Sequence, residues 1–267
     1  MRAALIAFLA LALSPGLAAA ASRVFSTDQC ADQFVLALAP RQAIVALSKR
    51  ALNGDSFLRA GAAGLPERRP DLESILGTRA DLVVRYWSPD MNLPDALQRR
   101  GVGVVQIDEA NDFAGVRANI RKVAAALGRS PAGEALIARM DLTLARSHGA
   151  WGGARALYLT PGAITAGPGT LVAAIMAAAG LSSAAAGPGY SPAPLEQLAL
   201  DPPAALVLGF FRDLDGGRQH WTIAGNSYLN GLAQRRTIAS LPGSMLGCPA
   251  WFAADGALAL AKARPAA

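Results

Sequence analysis

The sequence predicts an α/β protein of two lobes, each a mostly parallel sheet with flanking helices, joined by one long α-helix. Three observations carry this. Short apolar runs alternate with segments of helical spacing over residues 23–111. From Phe113 to His148 the strand signal disappears and only helical periodicity remains. After Trp151-Gly152-Gly153 the alternation returns. Strands alternating with helices imply a parallel sheet covered on both faces.

Residues 1–20 read as a cleavable signal peptide. Arg2 supplies the positive start, residues 3–13 are apolar, and Ser14, Pro15 and Gly16 break the run before Ala18-Ala19-Ala20. The apolar stretch is shorter than the ~20 residues a membrane span needs. No cysteine stands at the cleavage point, which argues against a lipid-anchored form. Removing 20 of 267 residues leaves 247, enough for two lobes with real cores. The export signal implies a soluble protein of the periplasm.

The N-terminal lobe is assigned residues 21–111. Strands are expected at 23–26, 43–47, 81–86 and 102–107, with helices at 31–38, 72–76 and 93–100. Residues 112–150 form the connection. Ile120, Val123, Ala124 and Leu127 share a helical face that Leu136, Ile137, Met140 and Leu144 continue, while Gly128 to Pro131 should kink or break the run. This is one helix, or two in tandem, of about 35 residues and roughly 50 Å at ~1.5 Å per residue. The C-terminal lobe takes residues 151–267. Its strands are expected at 156–160, 205–211 and 237–241, its helices at 170–179, 195–200, 227–234 and 254–263.

The lobes echo one another. Leu72-Glu73-Ser74-Ile75-Leu76 precedes the strand at Leu82, and Leu195-Glu196-Gln197-Leu198-Ala199 precedes the one at Leu206. Pro70 and Pro194 stand before the two copies, as suits a helix start.

Net charge is +6, nearly all of the cations being arginine. These arginines are scattered and lie near acids, whereas a nucleic-acid surface would cluster them with aromatics between. No nucleic-acid partner is expected. Enzyme signatures are missing: no H-E-x-x-H, C-x-x-C or G-x-S-x-G occurs, and the two histidines, His148 and His220, are far apart. Gly167-Pro168-Gly169-Thr170 lacks the lysine of a phosphate loop. No catalytic residue, metal site or cofactor is assigned. The weight falls on binding, where a cleft needs aromatic walls and a few polar groups. Two rivals stay open: a periplasmic α/β enzyme using the cleft and Cys30, and an interaction module that carries no ligand. The two cysteines, Cys30 and Cys248, suggest a disulfide in an exported protein. Two free thiols are the alternative, and spacing does not decide.

Several segments, taken in order, resemble the periplasmic substrate-binding proteins for ferric siderophores, heme and vitamin B12. They are Arg23-Val24-Phe25-Ser26, Pro70-Asp71-Leu72-Glu73, Ala80-Asp81-Leu82-Val83-Val84, Gly101-Val102-Gly103-Val104-Val105 and Pro194-Leu195-Glu196. The resemblance spans essentially the whole mature chain. It implies a rigid connecting helix, a ligand held between the lobes, and a monomeric carrier that hands a metal chelate to an ABC importer permease without chemistry. The chelate is then cargo rather than cofactor.

In that family one acidic residue on each lobe meets arginines of the permease, and Glu73 and Glu196 fall on those positions. The resemblance likewise implies ligand walls at Tyr86, with Trp87 beside it, and at Tyr190. Ile164 takes the place of another wall residue but is not aromatic, which weakens the case for vitamin B12. Arg212, Arg218, His220 and Trp221 lie in the loop after a buried strand, the end where open α/β sheets bind ligands. The arginines would suit anionic siderophore oxygens or heme propionates. A Cys30–Cys248 bond would tie the lobes together at the cleft; a thiolate metal site is the rival use.

Overall fold

The computed structural model describes residues 21–87, 90–210 and 225–264. The signal segment, residues 1–20, lies outside them.

The first sheet contains β1 (Val24–Ser26), β2 (Ile44–Ala46), β3 (Leu82–Arg85) and β4 (Gly103–Gln106), in the order β2-β1-β3-β4 and all parallel. Helices α1 (Gln29–Leu38), α2 (Arg59–Ala62), α3 (Leu72–Gly77) and α4 (Leu93–Gln98) connect and flank its strands. The side chains alternate between two cores. Val24, Val84 and Val105 face inward with α1, while Phe25, Val83 and Val104 face the outer core against Ile75, Leu93 and Leu97. All four residues of β3 are buried, as expected for a strand covered on both faces.

Short polar side chains fix the helix starts. The carboxylate of Asp28 accepts from the amides of Cys30 and Ala31, that of Asp71 from Ser74, and the hydroxyl of Thr170 from Ala173. Each cap of this kind contributes about 1 kcal/mol.

The connection is two helices, α5 (Phe113–Ala126) and α6 (Ser130–Ser147). They do not run on in tandem as one rod but fold back on each other. Gly128 turns the chain at φ +66°. Arg121 then pairs with Glu134 at 2.8 Å, and Arg117 with Asp141 at 2.5 Å. Residues 24 apart in one straight helix would be about 36 Å apart, so these contacts require an antiparallel hairpin. The helices touch closely at Gly133, where a Cβ would fall 2.6 Å from that of Ala124. Only α6 leads into the second lobe, and its 18 residues span about 27 Å rather than 50 Å. The break falls in the Gly128 to Pro131 stretch where the sequence expects one; that the second helix folds back on the first is set by the backbone geometry at Gly128, which the periodic apolar face could not reveal.

The second sheet holds β5 (Arg155–Leu159), β7 (Ser182–Ser183), β9 (Ala205–Gly209) and β10 (Thr237–Leu241), in the order β10-β9-β5-β7, again parallel. Helices α7 (Leu171–Ala178), α8 (Leu195–Leu200), α9 (Ser227–Arg236), α10 (Gly243–Leu246) and α11 (Ala253–Lys262) accompany it. A small antiparallel ribbon joins β6 (Ile164–Ala166) to β8 (Tyr190–Pro192). Sequence periodicity gave no sign of this ribbon, because three-residue strands are too short to show alternation.

One continuous core runs through both lobes, from Val24, Phe34 and Val84 to Tyr158, Ile175 and Leu260. Where the lobes meet, Phe34 packs edge-on to Trp251 at 5.6 Å, and Phe57 stacks on Phe252 at 4.4 Å. Such pairs add about 0.5–1.5 kcal/mol each beyond area burial.

Candidate binding cleft

A cavity of about 570 Å³ opens between the lobes. Its walls come from chain that has just left the carboxyl ends of strands: Thr27 and Asp28 after β1, Ser48 to Arg50 after β2, Tyr86 and Trp87 after β3. From the second lobe come Phe210, directly after β9, and Gly247-Cys248, after α10. Loops at the carboxyl ends of parallel strands are where open α/β sheets bind ligands.

Asp28 organises the floor. Its Oδ1 caps α1, and its Oδ2 accepts from the amides of Tyr86 at 2.7 Å and Trp87 at 3.3 Å. One carboxylate thus fixes both the first helix and the aromatic wall. No motif identified Asp28 in the sequence, because its partners are backbone amides 58 and 59 residues away.

The Tyr86 hydroxyl donates to Glu109 Oε2. Burial, and then Glu109, hold this phenol well above the ordinary tyrosine range. Tyr190 is shifted upward by burial and by the charge of Glu109, and it acts in turn on Tyr86. Tyr190 is 61% exposed and is not among the residues that wall the cavity. Trp87 is 68% exposed, an unusual position for an indole. Tyr86 and Trp87 also border a second recess of about 380 Å³, with Gln106 and Glu109 on its far side.

Ile164 sits on β6, paired with Pro192, in the ribbon that carries Tyr190, and is half-buried rather than part of the cavity wall. Glu73 and Glu196 are both exposed, in the first turns of α3 and α8, and neither forms an ion pair among the described residues. Arg212, Arg218, His220 and Trp221 lie outside the described residues. Phe210, just before them, adopts φ +63°, a left-handed conformation rare for a bulky residue and often found at binding sites.

Sequence reasoning also passed over Lys49 and Arg50. They contribute cations to the cleft, Arg50 held by Asp55 at 3.2 Å and Lys49 without an ion pair among the described residues. The cleft end of the interlobe contact is covalent, since Cys30 and Cys248 are disulfide-bonded. This removes the free thiol that a Cys30 enzyme or a thiolate metal site would need. Among the described residues no group of three or more His, Cys, Asp or Glu side chains is placed to hold a metal ion. No described helix is long and apolar enough to cross a membrane.

No protein-family model and no curated protein matches the chain. Solved structures do. The periplasmic heme-binding protein BhuT in complex with two hemes is 25% identical, with TM-score 0.67 over 90% of this chain and 98% of that one. The periplasmic vitamin B12-binding protein BtuF of Vibrio cholerae is 16% identical, with TM-score 0.63 over 91% and 96%. An ABC-type Fe3+-hydroxamate transport system protein from Saccharomonospora viridis is 18% identical, with TM-score 0.67 over 92% and 94%. The likeness runs over nearly the full length of each, so this chain has the two-lobed α/β fold of the periplasmic substrate-binding proteins.

Proposed function

We propose that this chain, with the fold of the periplasmic substrate-binding proteins, captures a metal chelate in its interlobe cleft and delivers it to an ABC importer permease. The observation that carries the reading is the cleft itself: a cavity of about 570 Å³ at the carboxyl ends of strands, walled by Tyr86, Trp87 and Phe210. Its volume is within the ~300–1,000 Å³ of ligand pockets. Aromatic faces suit a flat macrocycle or a hydroxamate shell. The metal is taken already wrapped in its chelator, whose organic surface is the part such walls can grip. Ferric siderophore, corrinoid and heme are the three candidate cargoes, matching the solved structures of similar fold.

The carrier works as a periplasmic monomer, exported by residues 1–20, and catalyses nothing. Tyr86, Trp87, Tyr190, Arg212, Arg218, His220 and Trp221 contact the cargo, with Ile164 supporting the Tyr190 ribbon. Glu73 and Glu196, one per lobe, face the permease. Each exposed pair with a permease arginine adds only about 0–1 kcal/mol, so their work is orientation and encounter rate.

Thermal unfolding of residues 21–267 with heme, cobalamin, cobinamide and ferric hydroxamates tests this. A ligand at 100 times its Kd adds about 2.7 kcal/mol, roughly 5–10 °C in midpoint for a chain of this size. A shift with one class names the cargo. Turnover of a small substrate without any chelate response would overturn the carrier reading.

A further inference from the structure

Arginine stands at every point where the chain enters the first sheet. Arg23 immediately precedes β1, and Arg41 opens the short 3-10 turn before β2. Arg79 lies between α3 and β3, and Arg99 and Arg100 lie between α4 and β4. The four strands are parallel and adjacent, so these entry points share the amino edge of the sheet. With strands ~4.8 Å apart, three spacings set the entry points along an edge about 14 Å wide. Scattered in sequence, these arginines are gathered by the fold.

All five are exposed, and none forms an ion pair among the described residues. The Arg23 guanidinium donates to the carbonyls of Thr78 and Arg79, that of Arg41 to Gly61 and Ala63, and that of Arg100 to Ala96. Peptide carbonyls fix these side chains but carry no full counter-charge. Residues 21–23, 38–43, 77–81 and 98–102 contain one acid, Asp81, whose carboxylate already accepts from the Ser22 hydroxyl and from the amides of Ser22 and Arg23. The same segments contain no aromatic residue. A nucleic-acid strand would be met by aromatics between the cations. A row of bare guanidiniums suits phosphates presented on an extended surface.

Two placements select a membrane as that surface. Ala21, the first residue after the apolar leader read from residues 1–20, stands beside Arg23, so the leader is joined to the molecule at the arginine row. The cleft lies at the other edge of the sheet, and so does Glu73, in the first turn of the helix that Arg79 follows.

We propose that the arginine-lined amino edge of the first lobe is a docking surface for the anionic phospholipid headgroups of a bilayer, on which the carrier rests with its cleft turned away from the membrane. This goes beyond the carrier reading and is independent of which chelate the cleft takes. Each cation held near an anionic lipid surface adds a Coulomb attraction that salt screens. Lipid binding and permease docking then use opposite edges of the molecule.

The experiment sediments residues 21–267 with vesicles of phosphatidylcholine alone or mixed with phosphatidylglycerol, at low and high salt. Wild type is compared with Arg79→Gln/Arg99→Gln/Arg100→Gln, with Arg79→Lys/Arg99→Lys/Arg100→Lys, and with Arg68→Gln/Arg69→Gln/Arg139→Gln. The last removes the same charge from exposed positions away from the edge: Arg68 and Arg69 follow the Leu47–Glu67 bridge beyond the carboxyl end of β2, and Arg139 lies within α6. Wild type should bind the phosphatidylglycerol vesicles at low salt, bind phosphatidylcholine poorly and be released by high salt. The glutamine edge variant should bind about 10-fold more weakly or worse, and the lysine edge variant and the control should stay close to wild type. A wild type indifferent to phosphatidylglycerol overturns the proposal, whether or not every variant folds. So does an equal loss in both glutamine variants, which marks net charge alone. Inorganic phosphate that displaces the protein where chloride of equal ionic strength does not would mark a site for free phosphate and overturn it. Duplex DNA bound more tightly than the vesicles would mark a nucleic-acid surface and overturn it as well. The chelate-induced shift in thermal midpoint, read on the same proteins, should be unchanged in the edge variants, which separates loss of lipid binding from loss of the carrier function.

Discussion

Cys30 and Cys248, 218 residues apart in sequence, are bonded with their Cα atoms 5.3 Å apart, one from each lobe and both on the cavity wall. Behind them the aromatic rings of Phe34, Phe57, Trp251 and Phe252 interlock. With α6 as the other connection, the lobes are held at two separate places. A cleft held this way loses little conformational freedom when it binds, which favours affinity through preorganisation.

Reduction of this bond should therefore loosen the cleft and destabilise the fold. Closing so long a loop is worth about 2–5 kcal/mol. Urea unfolding of the Cys30→Ser/Cys248→Ser double variant should show a loss of that size and weaker cargo binding. Equal stability and unchanged affinity would show that the aromatic contact alone holds the lobes.

Asp32 gives the protein a pH-dependent stability. Burial raises its carboxyl from 3.8 to about 6, against hydrogen bonds from the Ser48 amide at 2.9 Å and hydroxyl at 2.6 Å that favour the charged form. The folded value lies above the unfolded one, so the folded state binds the extra proton between them. The associated stability is fully present below about pH 4 and is lost as pH rises through about 6. A difference of this size is worth about 3 kcal/mol. Asp32→Asn should flatten this slope and exceed wild type in stability at pH 7. Parallel pH profiles for the two proteins would refute the assignment.

Gly133 sets how closely α5 and α6 approach. Its added Cβ would lie 2.6 Å from that of Ala124, too near for two carbons. Gly133→Ala should cost about 1–3 kcal/mol by overpacking. Adding Ala124→Gly should recover part of that loss, which a double-mutant cycle of urea melts would measure.

Tyr86 should act through its ring more than its hydroxyl. With a responding chelate in hand, Tyr86→Ala should weaken binding by about 10-fold or more, the scale of a lost aromatic contact. Tyr86→Phe, which gives up only the bond to Glu109, should stay close to wild type. The reverse ranking by calorimetry would make the phenol itself the ligand-contacting group.

Charge reversal at Glu73 and Glu196 should leave chelate affinity unchanged and reduce delivery. Each single Lys variant should lower the transport rate in proteoliposomes modestly, and the pair more strongly, with greater effect at low salt. A double variant that transports normally would place the docking surface elsewhere.

The α/β alternation, the equivalent places of Glu73 and Glu196 in the first turns of α3 and α8, and most element positions could be read from the residues, because each depends on periodicity over a few neighbouring positions. Val83-Val84 and Leu206-Val207-Leu208 announce buried strands by composition alone. Relations between distant residues could not be read this way. Asp28 reaching Tyr86, Phe34 meeting Trp251, and α6 folding back on α5 are all set by where the backbone turns. At Gly128 that turn is one positive φ angle in an otherwise helical run. Arg85 shows the limit most plainly: in sequence it is one arginine among many, and only the packing of the strands around β3 leaves it 6% exposed with its Nε buried and without a hydrogen-bond partner.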